Sequence, residues 1–369
     1  MDNKKENYTA GIFIPTMNRV DFVIRQLRYY AAVKCPHTIY VGDSSPKEES
    51  EKIKHEIEIL GNSIKAKYYY LPSYDGWQAP YHLITEVKEK YICFSGDDDY
   101  QIPDSITKCI EFLETHPDHT SASGHAVSFR LKQNGPYGQL KRLADYPRQQ
   151  IEDDTGSERI KNFFNAYYVT LFSISRTDSQ VRYWSNGAKI QDRSFRGEIL
   201  PAALPLVYGK SRIIDCLGFV RQIHDRQAEY GLPNLFDWIT NPEWHSSYNL
   251  FEKVLSENLA TKDNISIENA TRAIRQSFSF YLQKHLLRDY KIHNPAKVKS
   301  GGSKQAISSA RSKIARTFPI LKQIYRMWIK PQITGKRELN FEVLQPKSKY
   351  YQDFKPVMDS FTDSPPKNL

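Results

Sequence analysis

The stretch Tyr91–Asp99, YICFSGDDD, runs from four apolar or aromatic residues straight into three adjacent carboxylates. Tyr91-Ile92-Cys93-Phe94 has the length and composition of a buried β-strand, and Ser95-Gly96 is the turn that ends it. Asp97, Asp98 and Asp99 repel one another. A folded chain that gathers them at a strand end therefore neutralises them with a cation or spends them on ligand hydroxyls. A hard divalent ion, Mg2+ or Mn2+, takes one or two such carboxylates and completes its shell with water and phosphate oxygens. The competing reading is a solvated turn ahead of a helix that starts near Asp104.

Upstream, strands and helices alternate. Ala10–Pro15 (AGIFIP) reads as a buried strand, and Arg19–Val33 carries helical spacing through Phe22, Val23, Leu27 and Tyr30. His37–Gly42 is a second strand, Glu48–Leu60 a second helix, Ala66–Leu71 a third strand and Tyr81–Lys90 a third helix. The order βαβαβαβ implies right-handed crossovers and an α/β fold, a mostly parallel sheet with helices on both faces. Such sheets bind ligands at the carboxyl ends of their strands. Those ends carry Thr16 and Asn18, Asp43, Asp75-Gly76-Trp77 and Asp97–Asp99, a ring of small and acidic groups suited to a nucleoside. Glycine allows close approach there, and an aromatic offers stacking.

Downstream the pattern is mixed. It comprises a helix at Ser105–Glu114, a strand His125–Leu131, a helix Ser157–Ala166, a strand near Val169–Ser173, a helix Phe195–Val207, and strands at Ser211–Cys216 and Gly218–Arg221. This is the second half of the same domain, where an acceptor is shaped. Beyond Asp225 the chain reads as helical, with Ala270–Tyr290 the clearest case and Gly301-Gly302 a hinge. The expected domains are 8–225, a helical extension 226–300 and a basic C-terminal region 301–369.

The chain has 369 residues, 40% of them apolar and 25% charged, which excludes collagenous, low-complexity and mostly disordered classes. No apolar run approaches the ~20 residues that cross a bilayer, and the first residues lack a signal-peptide core, so the expected compartment is the cytosol. Cys35, Cys93, Cys109 and Cys216 have no C-x-x-C spacing and read as buried free thiols. The net charge of +10 is concentrated: Lys284–Lys349 holds sixteen Lys or Arg against three acids. Within it Ile307, Ile314, Phe318, Leu321, Tyr325 and Trp328 recur at helical steps among basic residues, which describes a basic amphipathic helix over 304–330, bent at Pro319. Such a helix lies on an anionic membrane surface, here the inner face, or docks on its own domain. With no recognition module present, nucleic acid is not the expected partner.

Together Ile14-Pro15-Thr16-Met17-Asn18-Arg19, Asp43-Ser44-Ser45, Gly76 with Ala79, and Ser95-Gly96-Asp97-Asp98-Asp99 resemble the GT-A-fold glycosyltransferases of the family-2 type. The resemblance covers roughly residues 10–225, and its acidic motif is the most specific part. It implies a nucleotide-sugar donor, a glycan or lipid-linked acceptor, inversion at the anomeric carbon, and Mn2+ or Mg2+ held through a D-x-D-type motif. By resemblance Asp99 is the metal ligand, Asp97 or Asp98 the ribose or second metal contact, and Asp43 the nucleoside contact. Thr16, Asn18, Arg19, Asp75 and Gly76 then line the donor site. Where the family continues into Ala-Arg-Asn, this chain has Ala79-Pro80-Tyr81.

Transfer also needs a carboxylate to take the acceptor's proton. Glu198 stands eleven residues before Gly209, the family's spacing for that base, but it follows Gly197 where the family has an acid, so Asp192 remains a rival. Glu198 also reads as a carboxylate meeting a helix dipole. In Arg221-Gln222-Ile223-His224-Asp225, His224 reads as a third metal ligand or a hydrogen-bonded structural imidazole, and Arg221 as a diphosphate contact. Trp184 reads as core or as a sugar platform. No H-E-x-x-H, G-x-S-x-G, P-loop or G-x-G-x-x-G is present, which turns the reading away from zinc hydrolases, serine esterases, NTPases and dinucleotide enzymes. Two alternatives stay open. One is a sugar nucleotidyltransferase, which lacks its expected phosphate loop here. The other is a non-catalytic basic scaffold for membranes or polyanions.

Overall fold

The structure, a computed structural model, describes residues 8–226, 233–293 and 338–362. The expected amphipathic helix 304–330 and the Gly301-Gly302 hinge lie outside the described residues.

The first half follows the alternating pattern: β1 (Ala10–Thr16), α1 (Val20–Ala32), β2 (Thr38–Asp43), α2 (Lys47–Leu60), β3 (Lys65–Tyr70), α3 (Gln78–Glu86) and β4 (Tyr91–Phe94). These four strands are parallel, in the order β3-β2-β1-β4. The third helix starts three residues earlier than expected, because Pro80 falls in its first turn, where a missing N–H costs nothing. It ends at Glu86, where Val87 is extended and its side chain enters the core instead of continuing the helix.

The second half contains β5 (Tyr100–Gln101), α4 (Pro103–Thr115), β6 (His119–Leu131), β7 (Leu140–Tyr146), α5 (Gly156–Asn165), β8 (Ile174–Arg176), α6 (Thr177–Ser185), a π turn (Phe195–Ile199), α7 (Leu200–Tyr208) and β9 (Lys210–Gln222). The whole sheet runs β3-β2-β1-β4-β8-β6-β9-β5, with β7 against β6. Strand β8 is antiparallel to both neighbours, while β9 runs parallel to β6. The strand expected near Val169–Ser173 is displaced to Ile174–Arg176. The earlier residues form a turn in which Ser173 N–H donates to Thr170 O, with Thr170 Oγ1 tied to Ala202 O. The two strands expected over 211–221 are one. Its register against β6 slips beside Gly124, and a Cβ there would lie 2.6 Å from the Gly218 backbone nitrogen, so both strands need glycine at the crossing.

Two cores result. The first packs β1, β2, β4, β6 and β9 against α1, α2 and α4. The second gathers α5, the π turn and α7 with α8 (Leu235–Ile239), α9 (Pro242–Asp263) and α10 (Ile267–His293). Helix α5 begins with a reciprocal Thr155–Glu158 capping box, worth about 1 kcal/mol. After the undescribed stretch the chain returns as α11 (Leu339–Glu342) and α12 (Tyr351–Thr362), whose Phe354, Val357 and Phe361 enter the first core. All four cysteines are free and buried, and Trp184 is a core residue, 3% exposed. Among the described residues no helix is long and apolar enough to cross a membrane.

Candidate active site

Because β1 and β4 are parallel neighbours, their carboxyl ends open on the same edge, and the acidic turn lies beside the turn after β1. Asp97, Asp98 and Asp99 are 6%, 6% and 3% exposed, so they do not form a solvated turn. Thr16 Oγ1 donates to Asp97 Oδ2 at 2.8 Å, and Arg19 Nη1 donates to Asp97 Oδ1 and Asp98 Oδ2 at 2.8 and 2.9 Å. His224 Nε2 donates to Asp98 Oδ2 at 2.8 Å. The antiparallel β5–β9 pair brings Gln222 alongside, and its backbone N–H donates to Asp99 Oδ1 at 3.1 Å. Helix α1 holds the turn's backbone: Gln26 Nε2 donates to Gly96 O and Asp99 O, and Arg25 Nη2 to Asp98 O.

Burial pushes the Asp97 carboxyl up to about 7, and the Asp98 charge adds to it against Arg19 and Thr16. Burial and Asp98 likewise raise Asp99 well above the carboxylate range. Asp98 goes the other way: burial opposes its charge, but the His224 hydrogen bond and Arg19 outweigh it. Burial works against the Arg19 cation too, yet Asp97 and Asp98 raise its pKa above the ordinary value.

The expected shell of Asp99, Asp97 and His224 is not assembled. Among the described residues no three His, Cys, Asp or Glu side chains form a metal-holding group. Asp97 is spent on Thr16 and Arg19. His224 accepts the Arg226 N–H at Nδ1, so its proton is on Nε2 and goes to Asp98, and the ring stacks on Phe22 at 4.5 Å. The structural reading of His224 therefore describes its state here. Two oxygens receive no hydrogen bond from the described residues, Asp98 Oδ1 and Asp99 Oδ2. Both lie 2.9 Å from where a Gly96 Cβ would be. A pair of hard carboxylate oxygens over a glycine fits an ion that draws its remaining ligands from water and diphosphate.

The nucleoside side is assembled less completely. Asp43 is fully buried, with Oδ1 accepting the Ser45 N–H and Oδ2 the Tyr68 hydroxyl. Asn18 is exposed at φ 60°, a left-handed position that asparagine tolerates, and its N–H donates to Ser45 Oγ. Asp75 caps α3 through the Trp77 and Gln78 N–H groups and pairs with Arg196; against burial, the Gln78 and Trp77 N–H groups and then Arg196 hold its pKa below the ordinary value. Gly76 sits in that same exposed turn. The Trp77 ring stacks on Tyr81 at 5.0 Å and carries the Arg196 guanidinium 5.7 Å from its centre.

A second group of side chains is linked to the acidic turn through Arg221. Arg221 Nη1 donates to the Tyr146 hydroxyl at 2.8 Å, and Asp99 acts on both Tyr146 and Arg221. Tyr146 in turn acts on Tyr167, whose hydroxyl donates to Glu198 Oε1 at 2.7 Å. Asp192 Oδ1 accepts the Phe195 N–H, and its Oδ2 accepts Trp238 Nε1–H at 2.7 Å. Burial raises the Tyr281 hydroxyl, and Glu198 and Asp192 add to it. Sequence reasoning missed Tyr146, Tyr167, Trp238 and Arg148. The Arg148 guanidinium packs 5.2 Å from the centre of Phe219, and its Nε and Nη2 have no acceptor. For Tyr146 and Arg148 the local signal was an aromatic two residues before an arginine, in Tyr146-Pro147-Arg148.

No family model matches the sequence, and no curated protein does. Solved structures do match. TarS of S. aureus, residues 1–349 with UDP-GlcNAc bound, is 12% identical over 77% of this chain and 75% of that one, with a TM-score of 0.51. The mannosyltransferase PcManGT from Pyrobaculum calidifontis, solved with GDP-Man and Mn2+, is 10% identical over 88% of this chain and 84% of its own, with a TM-score of 0.40. The likeness to TarS shows the fold, a mostly parallel sheet with helices on its faces.

Proposed function

We propose that the protein transfers a sugar from a nucleotide diphosphate donor to a hydroxyl of a glycan or lipid-linked glycan, with inversion, using Mn2+ or Mg2+. The observation that carries this reading is the buried acidic knot at the strand carboxyl ends of a GT-A sheet, with Asp98 Oδ1 and Asp99 Oδ2 left without donors. Asp98 and Asp99 would hold the ion, which when bound offsets the negative charge growing on the departing diphosphate. Thr16 and Arg19 fix the carboxylates in place, and Arg221 adds positive charge beside Asp99. Glu198, oriented by the Tyr167 hydroxyl, takes the proton from the acceptor hydroxyl, and Asp192 is its rival for that role. The aromatic wall of Tyr146, Tyr167 and Trp238 shields the reacting centre from water. Arg19, Asn18, Asp43, Asp75 and Gly76 belong to the donor side.

Isothermal titration tests the reading. Nucleoside diphosphate binds only with Mn2+ or Mg2+, and Asp99→Asn abolishes that dependence. Binding indifferent to both would return the protein to the class of basic scaffolds.

A further inference from the structure

Helix α12 buries Phe354, Val357 and Phe361 in the first core beside α1, and its remaining surface leaves a cavity of about 680 Å³ between the two helices. That volume is within the usual range for small-molecule sites, ~300–1,000 Å³. Helix α1, the β5–α4 junction and the segment around Tyr137 form the other walls. The acidic turn lies behind one of them: Arg25 lines the cavity, yet its Nη2 donates to Asp98 O at 2.8 Å and its Nη1 to Pro136 O and Gln222 Oε1.

Two lining groups are unanswered. Arg25 is 1% exposed, meets no carboxylate among the described residues, and its Nε–H has no acceptor. Asp353, across the cavity on α12, makes no hydrogen bond or ion pair among the described residues. Burial, with Asp104 nearby, pushes its carboxyl up to about 6. The other charges are already paired, Arg28 with Glu56 at 2.7 Å, Asp104 with Lys108 and Asp359 with Lys355. The lining thus asks for a donor on one side and an acceptor on the other, and it has no room for a further net charge. The half-buried Tyr137 supplies ring surface between them.

Hydroxyl groups both donate and accept, and a sugar ring presents an apolar face to an aromatic one. We propose that this cavity is a carbohydrate-binding site, separate from the reaction site and filled by a neutral sugar unit. Its Asp353 wall accepts the sugar's hydroxyl protons, and Arg25 Nε–H meets a ring or hydroxyl oxygen. Because Arg25 also holds the Asp98 carbonyl, the bound sugar abuts the residue that braces the acidic turn.

Saturation-transfer NMR on the full chain tests this, with methyl glucoside, methyl galactoside and N-acetylglucosamine as probes, each with and without saturating UDP and Mn2+. The expected result is sugar saturation that persists under UDP. It disappears in Ala32→Trp, which fills the cavity from an exposed position on α1, and in Asp353→Leu. Three results would overturn the proposal: no probe saturates, the signal survives Ala32→Trp, or glycine or inorganic phosphate displaces the sugar as the better ligand. The signal without UDP makes the outcome independent of donor binding. A chain that takes sugar here and ignores UDP would cost the transferase reading and leave this one standing.

Discussion

The two sides of the candidate site are built differently. On the side proposed for the donor, Thr16, Arg19 and Asp97–Asp99 come from the ends of adjacent parallel strands, and the ladder that pairs Phe13 with Phe94 places them together. On the other side, Tyr146, Tyr167, Asp192, Glu198 and Trp238 arrive from a strand end, two loops, a π turn and a helix of the second core. Sheet register fixes the first. The second depends on side-chain contacts such as Trp238 to Asp192 and Tyr167 to Glu198. Under the proposed function, such a site would separate donor binding, held by rigid ladder geometry, from acceptor choice and proton removal, held by packing that tolerates change.

The largest effect tests the side proposed for the donor. Asp99→Asn, and separately Asp98→Asn, lowers transfer by about a thousandfold, the scale of losing a metal-assisted charge-stabilising group. Metal-dependent diphosphate affinity, read by calorimetry, falls with it. If either variant bound the diphosphate as tightly as the parent with Mn2+ present, the donor side would not be where ladder geometry puts it.

The next effect belongs to the other side and sharpens the contrast. Glu198→Gln keeps donor affinity and loses transfer by a factor of about 10² to 10⁴, the range for a general base. Asp192→Asn is the control. Its oxygens serve the Phe195 N–H and the Trp238 indole, and an amide retains only one acceptor, so it disturbs acceptor KM more than kcat. Single-turnover assays separate the two, and a larger kcat loss in Asp192→Asn would exchange their roles.

The same contrast explains what was legible in the sequence. Strand–helix alternation and the residues after β1, β2 and β4 could be read directly, because parallel strands expose consecutive chain positions at one edge. The β6–β9 pairing was harder to see: β9 reads as two strands because its register slips where Gly124 meets Gly218. Helix α12 was hidden by the basic composition around it, although its Phe354, Val357 and Phe361 complete the first core. The role of His224 was hard to read for a different reason. The choice between metal ligand and partner of Asp98 rests on where one imidazole proton sits, and composition carries no signal for that.

Gly96 gives a smaller test. A Cβ there meets Asp98 Oδ1 and Asp99 Oδ2 at 2.9 Å, and both are ends of side chains that can shift. Gly96→Ala therefore folds, and its metal-dependent diphosphate affinity weakens by about tenfold, or ~1.4 kcal/mol. Unchanged affinity would mean that these two oxygens do not act together.

The smallest effect concerns how firmly α12 belongs to the donor half. Burial, then Asp104, raises the Asp353 carboxyl to about 6, so the folded chain holds this proton more tightly than the unfolded one. Its contribution is fully present below the unfolded carboxylate value and is lost as pH rises through about 6. At neutral pH the charged carboxylate is a liability of about 1 kcal/mol, discounted because the group is only half-buried. Asp353→Asn removes that liability. Urea unfolding should find the variant more stable than the parent at neutral pH, with the gap closing as the pH falls to 4. A gap that is constant with pH would mean that Asp353 titrates as an open surface group, and that α12 rests on the first core without sealing it.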